Sequence, residues 1–195
     1  DRAGLSNHSS SPGTAAQKAR VHRSLPERAA AFASRISVIV PTLNEARTLP
    51  AALATIGSSE DVEIIVVDGG SDDETLQVAE SLGATAISCS RGRAMQMNRG
   101  AQEATGDILL FLHADTQLPA KWEDHVRGSL SESGVSCGAF RFKTDGDSWS
   151  LRIIESLANM RAERFQMPYG DQALFIRADL FRIIRGFPNI PIMED

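Results

Sequence analysis

Acidic side chains recur in this sequence shortly after runs of apolar residues. Asp68 follows the run 62–67, and Asp115 follows the run 108–112. Glu45 comes soon after a third run of the same kind. Carboxylates placed at the ends of successive strands suit a site that holds a metal ion, a nucleotide or both. The spacing of these acids therefore favours an enzyme.

Composition narrows the possible functions. The 195 residues suffice for one domain with a buried core, and the net charge of -5 argues against nucleic-acid binding, which needs a basic face. No apolar run approaches the ~20 residues that span a bilayer, although peripheral membrane contact stays open. Cys89 and Cys137 belong to no CxxC pair or Cys/His cluster, so we expect two reduced, partly buried thiols. These features favour a cytoplasmic protein.

Residues 1–35 differ from the rest of the chain. They contain six of the 20 basic residues but only two of the 25 acidic ones. We expect a disordered tail or linker. An Arg- and Ser-rich segment poor in acids also suits the remnant of a transit peptide, which would place the protein in a plastid or mitochondrion. Residues 36–195 are expected to form one domain, truncated at its C-terminus.

From Ile36 onward, strand and helix patterns alternate. Short apolar runs predict buried strands, and apolar residues three or four positions apart predict helices. The predicted strands are 36–40, 62–67, 84–89 and 108–112. The predicted helices between them are 45–56, a helix that opens with a capping box at 71–74 and ends near Gly83, and 94–104. This order predicts an α/β fold, a Rossmann-like doubly wound, mostly parallel sheet with helices on both faces.

The pattern weakens beyond residue 118. The segments expected there are a helix that ends at Leu130, a strand 138–142, a helix 149–165, a short apolar piece 173–176 and a helix 178–184. If the first strand lies between the second and the fourth, the loops after all three face one crevice. Doubly wound sheets bind their ligands in such a crevice.

Two common nucleotide-binding motifs are missing. The chain has no GxxxxGK[ST] and no GxGxxG after the first strand, which disfavours a P-loop NTPase and a dinucleotide dehydrogenase. The loop 41–45 has no glycine, so a metal or basic side chains must handle phosphate charge. Arg91 and Arg93 could be these basic side chains, because cations and helix N-terminal amides both favour phosphate. A solvated basic turn is an equal alternative.

Five stretches of the sequence resemble one known family. They are IVPTLNE (39–45), VVDGGSDD (66–73), GRAMQMNRGA (92–101), LFLHAD (110–115) and YGDQA (169–173). Together they are similar to the core of the family 2 glycosyltransferases of the GT-A fold, and two of them, 92–101 and 169–173, to a bacterial-type branch. The resemblance covers residues 36–195. It implies transfer of a sugar from a UDP- or GDP-linked donor to an unknown acceptor, through a hydroxyl or phosphate, with inversion.

The resemblance also implies roles for single residues around the nucleotide. Asp68 would accept a hydrogen bond from the base or ribose. Arg93 is a candidate nucleotide ligand on a separate ground, because it is a cation at the start of a helix. Turn or helix capping is the other role open to an acid here, and it suits Asp72 and Asp73 better than Asp68, because Asp68 closes an apolar strand. The residues that would line the nucleoside pocket are Pro41, Thr42 and Glu45.

Asp115 matches the last acid of the family's DxD motif. Through this carboxylate, Mn²⁺ or Mg²⁺ could bridge Asp115 to the donor diphosphate. His113 stands where the family has an acid, and a neutral imidazole can bind Mn²⁺ but suits Mg²⁺ poorly. Both residues are therefore candidate metal ligands, and a structural role is the alternative for His113.

The chain ends on Glu194-Asp195, which matches the family's catalytic acidic pair. An inverting displacement needs a base that removes the acceptor proton. The resemblance implies Asp195 as this base, with Glu194 as the alternative or supporting residue. Gly170, Asp171 and Gln172 are expected near the acceptor or the sugar.

Two further functions fit part of the pattern. A non-catalytic nucleotide-sugar binding module is one, because His113 replaces an expected acid. A sugar nucleotidyltransferase is the other, although that class usually begins with a glycine- and lysine-rich phosphate loop that this chain lacks.

Overall fold

A computed structural model describes residues 34–140 and 173–188 of the chain, which contain six strands and five helices. The strands are β1 (Ile36–Thr42), β2 (Val62–Asp68), β3 (Thr85–Ser88), β4 (Ile108–Phe111), β5 (Cys137–Ala139) and β6 (Leu174–Arg177). The helices are α1 (Leu49–Ile56), α2 (Thr75–Ser81), α3 (Arg93–Glu103), α4 (Trp122–Ser131) and α5 (Ala178–Ile183).

The strands form one sheet in the order β3-β2-β1-β4-β6-β5. Strands β1 to β4 are parallel, and β6 runs antiparallel to both of its neighbours, β4 and β5. The predicted α/β fold with a mostly parallel sheet is confirmed. The first strand does lie between the second and the fourth, so the loops after β1, β2 and β4 share one edge.

Side chains of the central strands alternate between two cores. Val38, Val40 and their neighbours on one face pack under α1, α2 and α4. Ile39, Leu109 and Phe111 point to the other face, under α3 and α5. Both faces of the parallel strands are therefore covered, which explains why these strands read as continuous apolar runs.

Gly100 lets α3 lie close against the sheet. A Cβ at this position would come within 2.4 Å of Ile39 Cγ2 and 3.0 Å of Val67 Cγ2. Real side chains do not approach this closely, so any other residue would push the helix away from the strands. The helix is held near enough for its polar side chains to reach the strand ends.

Two helix starts differ from the prediction. Helix α1 begins at Leu49 and not at Glu45, because Pro50 has no N–H to continue the helical bonds backward and favours the first turn. The predicted capping box at 71–74 is wrong. The hydroxyl of Ser71 donates to Asp68, and Asp73 Oδ1 instead accepts from the Thr75 backbone N–H at 3.0 Å, at the start of α2.

Other expectations fall partly outside the described residues. The predicted helix 149–165 and the end of the predicted strand 138–142 lie there. Cys89 is half-buried as expected, whereas Cys137 is exposed on the short edge strand β5, and neither forms a disulfide. Within 34–140 and 173–188, none of the helices combines the length and apolar character that a membrane span requires.

At the amino end of the sheet, Glu63 joins three segments of the chain. Its Oε1 accepts from the backbone N–H of Thr105 at 2.7 Å and of Gly106 at 3.1 Å, and from the Ser37 hydroxyl. Its Oε2 accepts from Thr105 Oγ1 at 2.9 Å and Arg35 Nη2 at 3.4 Å. The carboxylate thus ties β1 and β2 to the turn before β4.

These contacts favour the ionised form of Glu63. Burial opposes ionisation, but the hydrogen bonds from Ser37 and Thr105, together with the charge of Arg35, outweigh it and hold the pKa of this carboxyl below its usual range. A carboxyl whose pKa is lower in the folded than in the unfolded chain stabilises the fold above its unfolded pKa. That stabilisation is lost as the pH falls through the folded pKa.

We predict that Glu63→Gln lowers the free energy of unfolding by about 1–3 kcal/mol at neutral pH, because it removes charge-assisted hydrogen bonds. The deficit should shrink below about pH 5, where this carboxyl begins to take up a proton in the unfolded wild-type chain, and it should vanish once the pH falls below the lowered folded pKa. Urea denaturation at several pH values measures this difference. Glu80→Gln, at an exposed position on α2, is the matched control. A Glu63 deficit that does not change with pH would show that the charge is not what stabilises the fold.

Candidate active site

The carboxyl ends of neighbouring strands bring several predicted site residues to one edge of the sheet. Thr42 and Asp68 end β1 and β2 and are register partners. Strand β4 pairs with the other side of β1 and leads through Leu112 to His113 and Asp115. The loops that carry the expected nucleoside, diphosphate and metal residues therefore open on the same edge, as the sequence predicted.

Asp68 lies buried at this edge, with 1% of its surface exposed. Its Oδ2 accepts from the backbone N–H groups of Gly70 and Ser71, each at 2.9 Å, and its Oδ1 accepts from the Ser71 hydroxyl. The carboxylate therefore caps the turn that follows β2. From the sequence, turn capping was expected of Asp72 and Asp73 rather than of Asp68. For Asp68 this expectation is wrong, because its carboxylate does cap a turn. Its contact with a base or ribose stays a prediction.

The loops after β1 and β2 are bonded to each other. The Asn44 N–H donates to Ser71 Oγ at 2.8 Å, and Asn44 Oδ1 accepts from the Asp72 N–H at 2.8 Å. Asn44 has a φ of 58°, a left-handed conformation that Asn adopts more readily than most residues. This reciprocal pair holds two walls of the expected nucleoside pocket as one unit.

A second pair of bonds continues this connection toward α2. The Glu45 N–H donates to Thr75 Oγ1 at 2.9 Å, and the Ala46 N–H donates to Asp73 Oδ2 at 3.2 Å. The Thr75 hydroxyl, with backbone N–H groups of Ala46 and Thr75, outweighs burial and holds the pKa of Asp73 below its usual range. Asp73 is thus a structural acid, as expected.

The three residues expected to line the nucleoside pocket differ in exposure. Pro41 is half-buried within β1, and Thr42 is buried, with its hydroxyl 3.4 Å from Val67 O and 3.5 Å from Asp68 Oδ1. Glu45 is half-buried, and its carboxylate accepts from the Thr48 hydroxyl. Thr42 therefore supports the pocket from beneath, whereas Pro41 and Glu45 retain exposed surface that a ligand could touch.

Gln96 is a site residue that the sequence analysis did not single out. It is 5% exposed, and its Nε2 donates to the carbonyl oxygens of Thr42 and Val67, each at 2.8 Å. It therefore ties α3 to the carboxyl ends of β1 and β2. A Cβ at position 69 would come within 3.0 Å of Gln96 Oε1, so Gly69 leaves room for the amide. Gln96 lies four positions before Gly100 and therefore on the same helix face, the one that approaches the sheet. This spacing in the sequence could have identified Gln96 as a residue that contacts the strands.

Arg91 and Arg93 lie where α3 begins. Gly92 is buried with a φ of 145°, and its carbonyl accepts from the Gln96 N–H at 2.8 Å. Because Gln96 contacts the ends of β1 and β2, the first turn of α3 belongs to the same edge as Asp68. Both arginines are exposed. Two cations and the first-turn N–H groups of an eleven-residue helix favour an anionic ligand here.

Asp115 and His113 belong to a turn that follows β4. The Thr116 N–H donates to the His113 carbonyl at 3.1 Å, and Thr116 Oγ1 lies 3.3 Å from Asp115 Oδ1. Asp115 is exposed and His113 is half-buried. Among the described residues no three His, Cys, Asp or Glu side chains come together as a metal site. An exposed carboxylate fits Mn²⁺ or Mg²⁺ if the donor diphosphate supplies the other oxygens.

Five predicted site residues lie outside the described residues. They are Gly170, Asp171, Gln172, Glu194 and Asp195. The next described residue, Ala173, is buried and precedes Leu174, which pairs with Phe111 at the carboxyl end of β4. The chain thus enters β6 at the same edge of the sheet as the loop that carries Asp115.

A family comparison agrees with this arrangement. The sequence profile of the family described as "Glycosyl transferase family 2" matches residues 37–189. The chain belongs to glycosyl transferase family 2.

Among curated relatives, a PGL/p-HBAD biosynthesis glycosyltransferase of Mycobacterium bovis is 45% identical over 95 residues. That match covers 44% of this chain and 37% of the relative. The chain therefore spans well under two thirds of the length of this relative.

Solved structures of similar fold include a mannosyltransferase from Pyrobaculum calidifontis in complex with GDP-Man and Mn²⁺. It has a TM-score of 0.62 and 24% identity, over 80% of this chain and 48% of that one. A glucosyl-3-phosphoglycerate synthase from Mycobacterium tuberculosis, in complex with Mn²⁺, UDP and glucosyl-3-phosphoglycerate, has a TM-score of 0.57 and 21% identity, over 85% of this chain and 64% of that one. These likenesses confirm the predicted GT-A fold.

We predict that Gln96→Met lowers the free energy of unfolding by about 1–3 kcal/mol, because it keeps the side-chain length but leaves two buried carbonyls without this donor. Gln102→Met, at an exposed position on the same helix, should change it by no more than about 0.5 kcal/mol. Urea denaturation measures both. Equal effects of the two substitutions would remove the structural role assigned to the Gln96 amide.

Proposed function

We propose that this family 2 protein transfers a sugar from a UDP- or GDP-linked donor to an acceptor hydroxyl or phosphate, with inversion at the sugar carbon. The observation that carries this proposal is the shared edge of β1, β2 and β4. Three features lie at that edge: two loops that are hydrogen-bonded to each other, a helix N-terminus with basic side chains, and the exposed carboxylate of Asp115. Each of these suits a different part of a nucleoside-diphosphate sugar.

The loops after β1 and β2 are assigned to the nucleoside. Their bonds through Asn44 and Thr75 join the two loops directly, so the loops hold each other in position. Pro41 and Glu45 offer partly exposed surface to a base or ribose, with Thr42 beneath them. Asp68 orients the Gly70 and Ser71 backbone by capping the turn, and it is the acid expected to meet the base or ribose. Such preorganisation favours affinity.

Arg93 and Asp115 are assigned to the diphosphate end. The Arg93 guanidinium and the first N–H groups of α3 offer donors to phosphate oxygens. Asp115, with His113 as a further candidate ligand, would hold Mn²⁺ or Mg²⁺ against the same oxygens. When bound, the ion supplies charge neutralisation for the departing nucleoside diphosphate. This division leaves each negatively charged part of the donor facing a cation.

Glu194 and Asp195 are assigned to the acceptor side. We assign Asp195 as the base that takes the acceptor proton while the new C–O bond forms, and Glu194 as the supporting acid. The bond from the sugar carbon to the diphosphate oxygen breaks on the opposite face, so the configuration inverts. Gly170, Asp171 and Gln172 are assigned to the sugar or acceptor, because Asp and Gln are suitable partners for sugar hydroxyls.

A non-catalytic nucleotide-sugar binding module is the second candidate. The observation that favours it is His113, which replaces an acid beside Asp115 and leaves one exposed carboxylate in this turn. Binding of donor without transfer to any acceptor by the full-length protein would support the module. A sugar nucleotidyltransferase is disfavoured by the family match and by the missing phosphate loop.

We predict that Asp115→Asn weakens binding of UDP or GDP in the presence of Mn²⁺ by at least about tenfold, because the ion loses a carboxylate ligand. Isothermal titration with and without Mn²⁺ measures this loss, which should vanish when the metal is absent. Asp107→Asn removes an exposed carboxylate at the other end of β4 and is the matched control. The same loss in both variants, or no Mn²⁺ dependence in the wild type, would contradict the assignment of Asp115.

We predict that Asp195→Asn slows sugar transfer about 10²–10⁴-fold while leaving UDP or GDP affinity unchanged, because the base acts on the acceptor proton. Turnover by the full-length protein, with a donor found by binding screens, measures the loss. NMR of the product should show the anomeric configuration opposite to that of the donor. Retained configuration, or undiminished turnover in the variant, would rule out this mechanism even if nucleotide binding holds.

A further inference from the structure

Two consecutive isoleucines project into solvent at the end of α5. Ile183 is 74% exposed and Ile184 is 55% exposed. Four large apolar side chains are exposed in the described ranges. Besides the two isoleucines they are Met95 on α3 and Leu82 at the end of α2. Helices α3 and α5 cover the same face of the sheet. An apolar surface of this kind is uncommon without a binding partner.

The segment that follows the isoleucines is anchored to α3 and to the core. Phe187, three residues after Ile184, exchanges two hydrogen bonds of 2.9 Å with the Asn98 side chain. Its ring also packs 4.9 Å from Phe111 and 5.2 Å from Phe181, measured between ring centroids. The exposure of the isoleucines is therefore not a result of loose attachment.

Exposed arginines stand on both sides of this apolar pair. Arg182 precedes it and Arg185 follows it, and both are exposed. Arg185 has a φ of 64°, a left-handed conformation in which glycine is the favoured residue. The turn thus carries a cation at a position where glycine would be less strained. We name residues 182–185 the Arg-Ile patch.

The acids carried by α3 and α5 are paired. Asp179 on α5 accepts from Arg177 at 2.7 Å, and Glu103 on α3 lies 2.7 Å from Arg99. The opposite face differs, because its helices carry the exposed acids Glu80 and Asp124, whereas Glu123 on that face pairs with Arg127 at 2.8 Å. The chain as a whole is acidic, with a net charge of -5. The patch is therefore a basic and apolar area on an acidic protein.

We propose that the Arg-Ile patch binds the surface of an anionic lipid bilayer. Isoleucine side chains can enter the boundary between headgroups and acyl chains, and guanidinium groups pair with lipid phosphates. Charge complementarity favours an anionic bilayer over a neutral one, and an acidic protein would otherwise be repelled by it. This inference goes beyond the proposed sugar transfer and does not depend on it.

Sedimentation with vesicles tests the proposal on the full chain. Binding to vesicles of phosphatidylcholine mixed with phosphatidylglycerol should exceed binding to phosphatidylcholine alone. Ile183→Ser with Ile184→Ser should lower binding to the anionic vesicles by about tenfold. Arg182→Gln with Arg185→Gly should lower it by about 25-fold, at about fivefold for each arginine, and by less at high salt. Glycine at 185 suits the left-handed backbone, so this variant should fold.

Matched controls lie away from the patch. Leu82→Ser changes a 45% exposed leucine at the end of α2, and Lys121→Gln removes an exposed cation before α4. Both should bind vesicles like the wild type. Absence of vesicle binding, or equal losses in patch and control variants, would overturn the proposal. So would light scattering that shows a dimer broken by the isoleucine substitutions, because a second copy would then cover the patch.

Discussion

The parallel pairing of β1 with β2 on one side and β4 on the other is the constraint on which the rest of this structure depends. Parallel strands end at the same edge, so residues far apart in the chain meet there without any long connecting segment. Thr42, Asp68 and the turn that carries Asp115 reach one edge for this reason. Among residues 34–140 and 173–188, the opposite edge carries no predicted site residue, and there Glu63 binds the turn before β4.

Polar contacts join the loops of the candidate site to one another and to the strands that carry them. Gln96 donates hydrogen bonds to backbone carbonyls at the carboxyl ends of β1 and β2. Asn44 joins the two loops that follow, and Asp68 caps the turn in the second of these loops. Each group is satisfied by its neighbours, so the buried polar atoms do not destabilise the edge. A nucleotide would meet loops already held in place, while Arg93 and Asp115 stay exposed for its charged end.

The fold could be predicted from the sequence because apolar runs and helical spacing are local signals. The central place of β1 was stated only as a condition, and the antiparallel β6 between β4 and β5 was not predicted, because strand pairing depends on contacts between distant segments. Helix starts were harder. Pro50 shortened α1, and the acids at 71–74 looked like a capping box although Ser71 serves the neighbouring loop. A residue type that caps helices and closes turns equally well does not reveal which bond it makes until its spatial neighbours are known.

By itself the sequence determined the α/β class, the family motifs and the expected edge for Asp68 and Asp115, since these follow from residue order and periodicity. Only the tertiary structure decided that Asp68 caps its own turn and that Gln96 bonds two strands 54 and 29 residues away in the chain. It also decided that Ile183 and Ile184 face solvent instead of the core. Bonds and burial of this kind depend on which distant segments meet in space, and a linear pattern records only the residues that are near one another in sequence.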